Sequence, residues 1–151
     1  VAVADNAIDH IAVYNNASTA DGSIAPARII SSATGTLNAP TGIWLDSASD
    51  QLYVACELSD NVVVYANAST ANGDTTPARI LSGASTGFNS PVGLWLDTST
   101  DRLYVSDWSG DAIRVFNGAS TKNGDVSPSR TITNVNSTLN GPIGIWLEKS
   151  L

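Results

Sequence analysis

The chain has 151 residues, 42% of them hydrophobic and only 14% charged, and its 14 acidic and 7 basic side chains leave a formal net charge of −7. Such a length allows one domain-sized core. The negative field repels nucleic-acid phosphates and anionic membrane surfaces, so no nucleic acid and no membrane is expected as a partner. A single cysteine, Cys56, excludes an intrachain disulfide, and a lone thiol is expected to be a small buried apolar residue. No run of about 18 apolar residues is present. Residue 1 is Val rather than Met and no leader pattern is visible, as in a mature, trimmed or excised chain, which leaves localisation open, a secreted or periplasmic one included.

The predicted elements come in sets that recur every 51 residues, in phases 1–51, 52–102 and 103–151. Each set opens on a short apolar, β-prone run: Val1 to Asp5, Leu52 to Cys56, Leu103 to Asp107. A polar turn and a second run follow, Ile11 to Tyr14, Val62 to Tyr65 and Ile113 to Phe116, which together spell a β-hairpin. The longest loop comes next, with Ala-Ser-Thr in each copy and an Asp/Asn-Gly step at Gly22, Gly73 and Gly124. That step supplies the positive φ of a tight reversal, and Ala-Ser-Thr fits a short helical turn capped by a hydroxyl. A third run starts after Pro26, Pro77 and Pro128, where proline favours a strand threshold or edge. Arg28, Arg79 and Arg130 recur there and are expected on a solvated face, pairing with Asp residues of the long loops. The set closes on the most regular stretch, Asn38-Ala-Pro-Thr-Gly-Ile-Trp-Leu-Asp46, repeated from Asn89 to Asp97 and from Asn140 to Glu148.

A fixed period of this size marks a repeat architecture. Four short strands per unit in tandem describe an all-β β-propeller of four-stranded blades. In it the Gly-Ile-Trp-Leu-Asp run is innermost and the Arg-Ile run outermost. Inner strands covered on both faces explain an Ile43-Trp44-Leu45 run without alternation. Trp44, Trp95 and Trp146 are then packing between blades, since one residue type at one repeat position serves the shared fold.

The residues Pro-x-Gly-Ile-Trp-Leu-Asp, Leu103-Tyr-Val-Ser-Asp107 and Ala112-Ile-Arg-Val-Phe116 resemble the NHL repeat, whose pattern is Pro-x-Gly-(apolar)-x-x-Asp, then Leu-Tyr-Val-x-Asp, then Ile-x-(Val)-Phe. The likeness covers all three repeats and is loosest at the start, where Ala2 stands in place of the Tyr. It implies six blades. Propellers have about four to eight, so three repeats per chain are expected to pair in a homodimer. In that dimer the inner strand 140–148 completes the blade begun by 1–30 of a partner chain, removing two exposed sheet edges. The competing expectation is half of a longer, trimmed chain.

In propellers the loops entering the inner strand and those joining the second and third strands share one face at the channel mouth. Asn38, Asn89 and Asn140 would form a polar ring there, or cap their own turns. The non-repeated residues Asp5, Asn6, His10, Glu57, Asp107 and Trp108 complete the candidate ligand-binding set, Trp108 as an aromatic that stacks on a ligand or packs on its neighbouring loop. No catalytic residue is expected. His10 is the only histidine, too few for a catalytic zinc with about three protein ligands. The expected function is a non-enzymatic binding or scaffold module for a small molecule, glycan or peptide, without a cofactor. The alternative is a metal-dependent hydrolase or lyase with calcium in the channel, its ligands drawn from Asp, Glu and Asn oxygens.

Overall fold

The computed structural model describes residues 1–133 and 139–148. The described chain is all-β, in three four-stranded sheets. The second sheet is formed by β4 (Pro40–Asp46), β5 (Gln51–Cys56), β6 (Asn61–Ala66) and β8 (Arg79–Ser82). The third is formed by β9 (Pro91–Asp97), β10 (Arg102–Asp107), β11 (Ala112–Asn117) and β12 (Arg130–Thr133). Both are antiparallel meanders in sequence order, with Trp44 opposite Tyr53 and Trp95 opposite Tyr104. The first sheet has only three strands of its own repeat, β1 (Ala2–Asp5), β2 (His10–Val13) and β3 (Arg28–Ser31).

Its fourth strand was not foreseen. β7 (Gly73–Asp74), from the long loop of the next repeat, pairs in parallel with β3 at Ile30 and Ser31. A parallel bridge from Leu81 to Gly124 repeats the device one unit later. The Arg-Ile strand is therefore not the outer edge wherever another repeat follows. Gly73, at φ 69°, supplies the left-handed residue from which the chain turns into this contact.

The sheets pack face to face in chain order over two cores. One joins the first and second sheets around Ile11, Ile30, Val54, Val63 and Tyr65. The other joins the second and third around Tyr53, Val64, Leu81, Leu96 and Phe116. The two share a pattern, since Ile11 and Val62, Ile30 and Leu81, and Tyr65 and Phe116 stand 51 residues apart.

At the inner edge the repeated motif performs its packing. The Trp44 and Trp95 ring centroids are 4.4 Å apart and those of Trp95 and Trp146 4.6 Å, tilted or edge-on in keeping with the ring quadrupoles. The glycines set how closely the strands approach: a Cβ on Gly42 would overlap the Val92 carbonyl oxygen, and one on Gly93 that of Ile143. The third copy, 140–148, lies where a further inner strand would stand. Ser106 Oγ donates to the Ile143 carbonyl at 2.7 Å, yet this copy belongs to no sheet among the described residues, and Trp146 is 79% exposed.

The arginines require a correction. Arg28 Nη1 donates to the carbonyls of Ala68 (3.0 Å) and Ala71 (2.6 Å), and Arg79 Nη1 to those of Ala119 (2.6 Å) and Lys122 (3.1 Å). They are partly buried and hold the carbonyl ends of the next repeat's Ala-Ser-Thr turn instead of pairing with Asp. Carbonyls left unpaired where a helical turn ends are good acceptors for a guanidinium. The turn itself is present, with Ala71 N–H donating to the Asn67 carbonyl. At its start a carboxylate does the capping: Asp50 accepts from Ser69 N–H and hydroxyl, and Asp101 from Ser120 in the same way.

Candidate functional site

The loops at one end of the sheets are tied together by carboxylates. Asp9, Asp60 and Asp111 close the three hairpins in left-handed conformation, at φ 52°, 47° and 46°. Each Oδ1 accepts the backbone N–H of the residue preceding the motif proline, from Ala39, Ser90 and Gly141 at 2.7, 2.8 and 2.8 Å. Those residues are also left-handed, at φ 48°, 62° and 57°, which turns their N–H groups toward the hairpins. Backbone bonds from Glu57 N–H to Ala39 and from Trp108 N–H to Ser90 finish the seam.

This frame surrounds a hollow of about 280 Å³ lined by Thr41, Glu57, Val92, Trp108 and Ile143. Thr41, Val92 and Ile143 occupy one repeat position, the variable residue of Pro-x-Gly. Glu57 and Trp108 share another, whose first copy is Asn6. The Thr41 hydroxyl is bound to the Val92 carbonyl at 3.1 Å. No hydrogen bond engages the Glu57 carboxylate among the described residues, and Trp108 is 45% exposed. The pyrrole edge of Trp108 lies over Gly141, where any Cβ would meet it. So the ring both packs on its neighbouring loop and faces the hollow. The chemistry on offer is an apolar wall, one aromatic surface and one free carboxylate.

Of the predicted residues, Glu57 and Trp108 come together here. Asp5 accepts from Ala7 N–H at 3.1 Å and pairs across the first hairpin with His10, while Asn6 is exposed beside them. None of these three lines the hollow. The Asn38, Asn89 and Asn140 side chains make no hydrogen bond among the described residues, so the turns are capped by Asp9, Asp60 and Asp111 and not by the asparagines. Asp107 is not a free mouth ligand. It is fully buried; Oδ2 lies 2.7 Å from both Nε and Nη2 of Arg114, and Oδ1 accepts Asn89 N–H at 2.7 Å. Burial raises its carboxyl above the ordinary 3.8, with the Asn89 N–H and the Arg114 guanidinium pulling back part of the shift. Gly110 leaves room for this pair, since a Cβ there would overlap Asp107 Oδ2.

Cys56 is fully buried, and desolvation pushes its thiol up to about 12; it is packing, as expected. Among the described residues no group of three or more His, Cys, Asp or Glu is placed to hold a metal ion, the hairpin carboxylates being committed to backbone N–H groups. Sequence reasoning missed Thr41, Val92 and Ile143. The available signal was a variable residue inside an otherwise fixed motif. No protein-family model and no curated protein matches the chain.

Proposed function

We propose that the chain is a binding module, half of a six-bladed NHL-like β-propeller, that presents its channel mouth to a small molecule, glycan or peptide. The observation that carries this reading is the hollow at the mouth, where the variable motif position and the non-repeated Glu57 and Trp108 converge. Residues serving a repeated fold are repeated; these differ from copy to copy and leave a carboxylate and an indole face free. An aromatic face beside apolar walls accepts the C–H face of a sugar or an apolar side chain, and a carboxylate accepts hydroxyl or ammonium donors. A glycan and peptide array probed with the wild-type chain, Glu57→Gln and Trp108→Ala tests it. Binders that both variants lose support the mouth as the site; no binder, or binders that both variants retain, would overturn it.

Ring closure by a second copy of these 151 residues is part of the same proposal. The first sheet offers β1 as an open inner edge, and 140–148 offers a third copy of the inner motif that joins no sheet among the described residues. Gly144 has nothing within 4 Å of where a Cβ would stand, whereas Gly42 and Gly93 are each pressed by the next inner strand. Arg130 is exposed and makes no hydrogen bond among the described residues, whereas Arg28 and Arg79 each grip the following repeat. By the 51-residue period, Arg130 matches the carbonyls of Ala17 and Ala20 in a second copy, and Trp146 matches its Trp44.

A further inference from the structure

The gap between the first and second sheets holds a groove of about 510 Å³, whose walls include Ala2, Val13, Arg28, Ile30, Leu45 and Leu52. The gap between the second and third sheets provides an internal template. Shifted by 51 residues, the same walls are Tyr53, Val64, Arg79, Leu81, Leu96 and Leu103, and there the core is closed. The Tyr53 ring fills it. Its hydroxyl accepts from Arg79 Nη2 at 3.0 Å, a nitrogen that also donates to Gln51 Oε1 at 2.6 Å, and the Arg79 guanidinium lies 5.5 Å from the ring centroid. In the first gap Ala2 stands where Tyr53 stands in the second. Arg28 keeps its Nη1 bonds to Ala68 and Ala71, but Nη2 donates to nothing among the described residues.

We propose that this groove is a binding site for a small aromatic molecule bearing a hydroxyl, its ring in the place of the missing tyrosine side chain and its oxygen on Arg28 Nη2. The chemistry follows the template. Apolar side chains of the same kinds line both gaps, and the arginine approaches from the same strand position. Both the ring slot and the arginine belong to one chain, so the site goes beyond the ring-closure reading and does not need it. A second copy's Trp146, in the place Trp44 takes beside the second gap, would cover the inner end without occupying the ring slot.

The test uses p-cresol, the tyrosine side chain as a free molecule, titrated into the 151-residue chain and followed by methyl NMR and calorimetry. Saturable binding is expected, with a dissociation constant on the order of 1 mM for so few atoms, and shifts centred on Ala2, Val13, Ile30 and Leu52. Toluene, which lacks the hydroxyl, should bind about tenfold more weakly, the equivalent of one modest hydrogen bond. Ala2→Tyr should fill the slot from within and abolish binding while raising Tm. The absence of saturation, shifts centred elsewhere, or equal affinity for toluene would each overturn the proposal. The toluene comparison needs no variant and so stands even if Ala2→Tyr folds poorly. Because these readouts do not involve the channel mouth, failure here leaves the Glu57 and Trp108 site intact, and the reverse holds.

Discussion

Tyr65 has a fully buried side chain, and its hydroxyl finds no hydrogen-bond partner among the described residues. An unsatisfied buried hydroxyl is a cost that its removal relieves, and the next repeat has Phe116 at the same position. Tyr65→Phe is expected to leave Tm unchanged or raise it; a clear fall would reveal a partner for the hydroxyl. Asp107 is the opposite case. Asp107→Ala strands Arg114 and the Asn89 N–H in the interior, a change expected to cost about 3–5 kcal/mol in denaturant unfolding. The sign of its pH dependence follows from burial. The folded state takes up the Asp107 proton before the unfolded state does, so this group favours folding as pH falls from neutral towards 3.8 and loses that contribution as pH rises through the raised value. Wild type should therefore gain stability relative to Asp107→Asn on acidification across that window. The Asp107–Arg114 pair was hidden in the sequence for a definable reason. Arg114 lies opposite Val105, two residues along the ladder from Ala112, the residue opposite Asp107, so the diagonal contact is visible only once the register is known.

At the scale of elements, strand positions and hairpins were legible because the 51-residue period aligns three noisy copies and leaves their shared pattern. What joins one repeat to the next was not legible. The β7 contact involves two residues, Gly73 and Asp74, that read as a turn, and the arginines look like surface charge until a carbonyl is placed beside them. These joints predict an asymmetry. Arg79→Ala removes bonds to Ala119, Lys122, Gln51 and Tyr53 and should cost about 1.5–3 kcal/mol, the range for hydrogen bonds to a charged group. Arg130→Ala should leave the unfolding of an isolated chain unchanged and weaken only the proposed self-association. Urea unfolding at several protein concentrations separates the two, since only an association effect depends on concentration.

Across the whole molecule, repeated residues build the frame and the departures from repetition mark where something else can bind. Glu57 and Trp108 break the pattern at the mouth, and Ala2 breaks it between the first two sheets. The third copy of the inner motif keeps the pattern but joins no sheet among the described residues. Its Gly144 gives a direct handle on the proposed ring. A valine there meets open space in a lone chain, but would strike the Thr41 carbonyl of a second copy, as a side chain on Gly93 would strike Ile143. Gly144→Val is expected to leave the circular dichroism spectrum unchanged and to abolish association. The most direct measurement is the mass of the 151-residue chain in solution by multi-angle light scattering at micromolar concentration. Ring closure by a second copy predicts twice the mass of one chain for the wild type, falling to one chain in Gly144→Val. A wild-type chain that stays at the mass of one would contradict it.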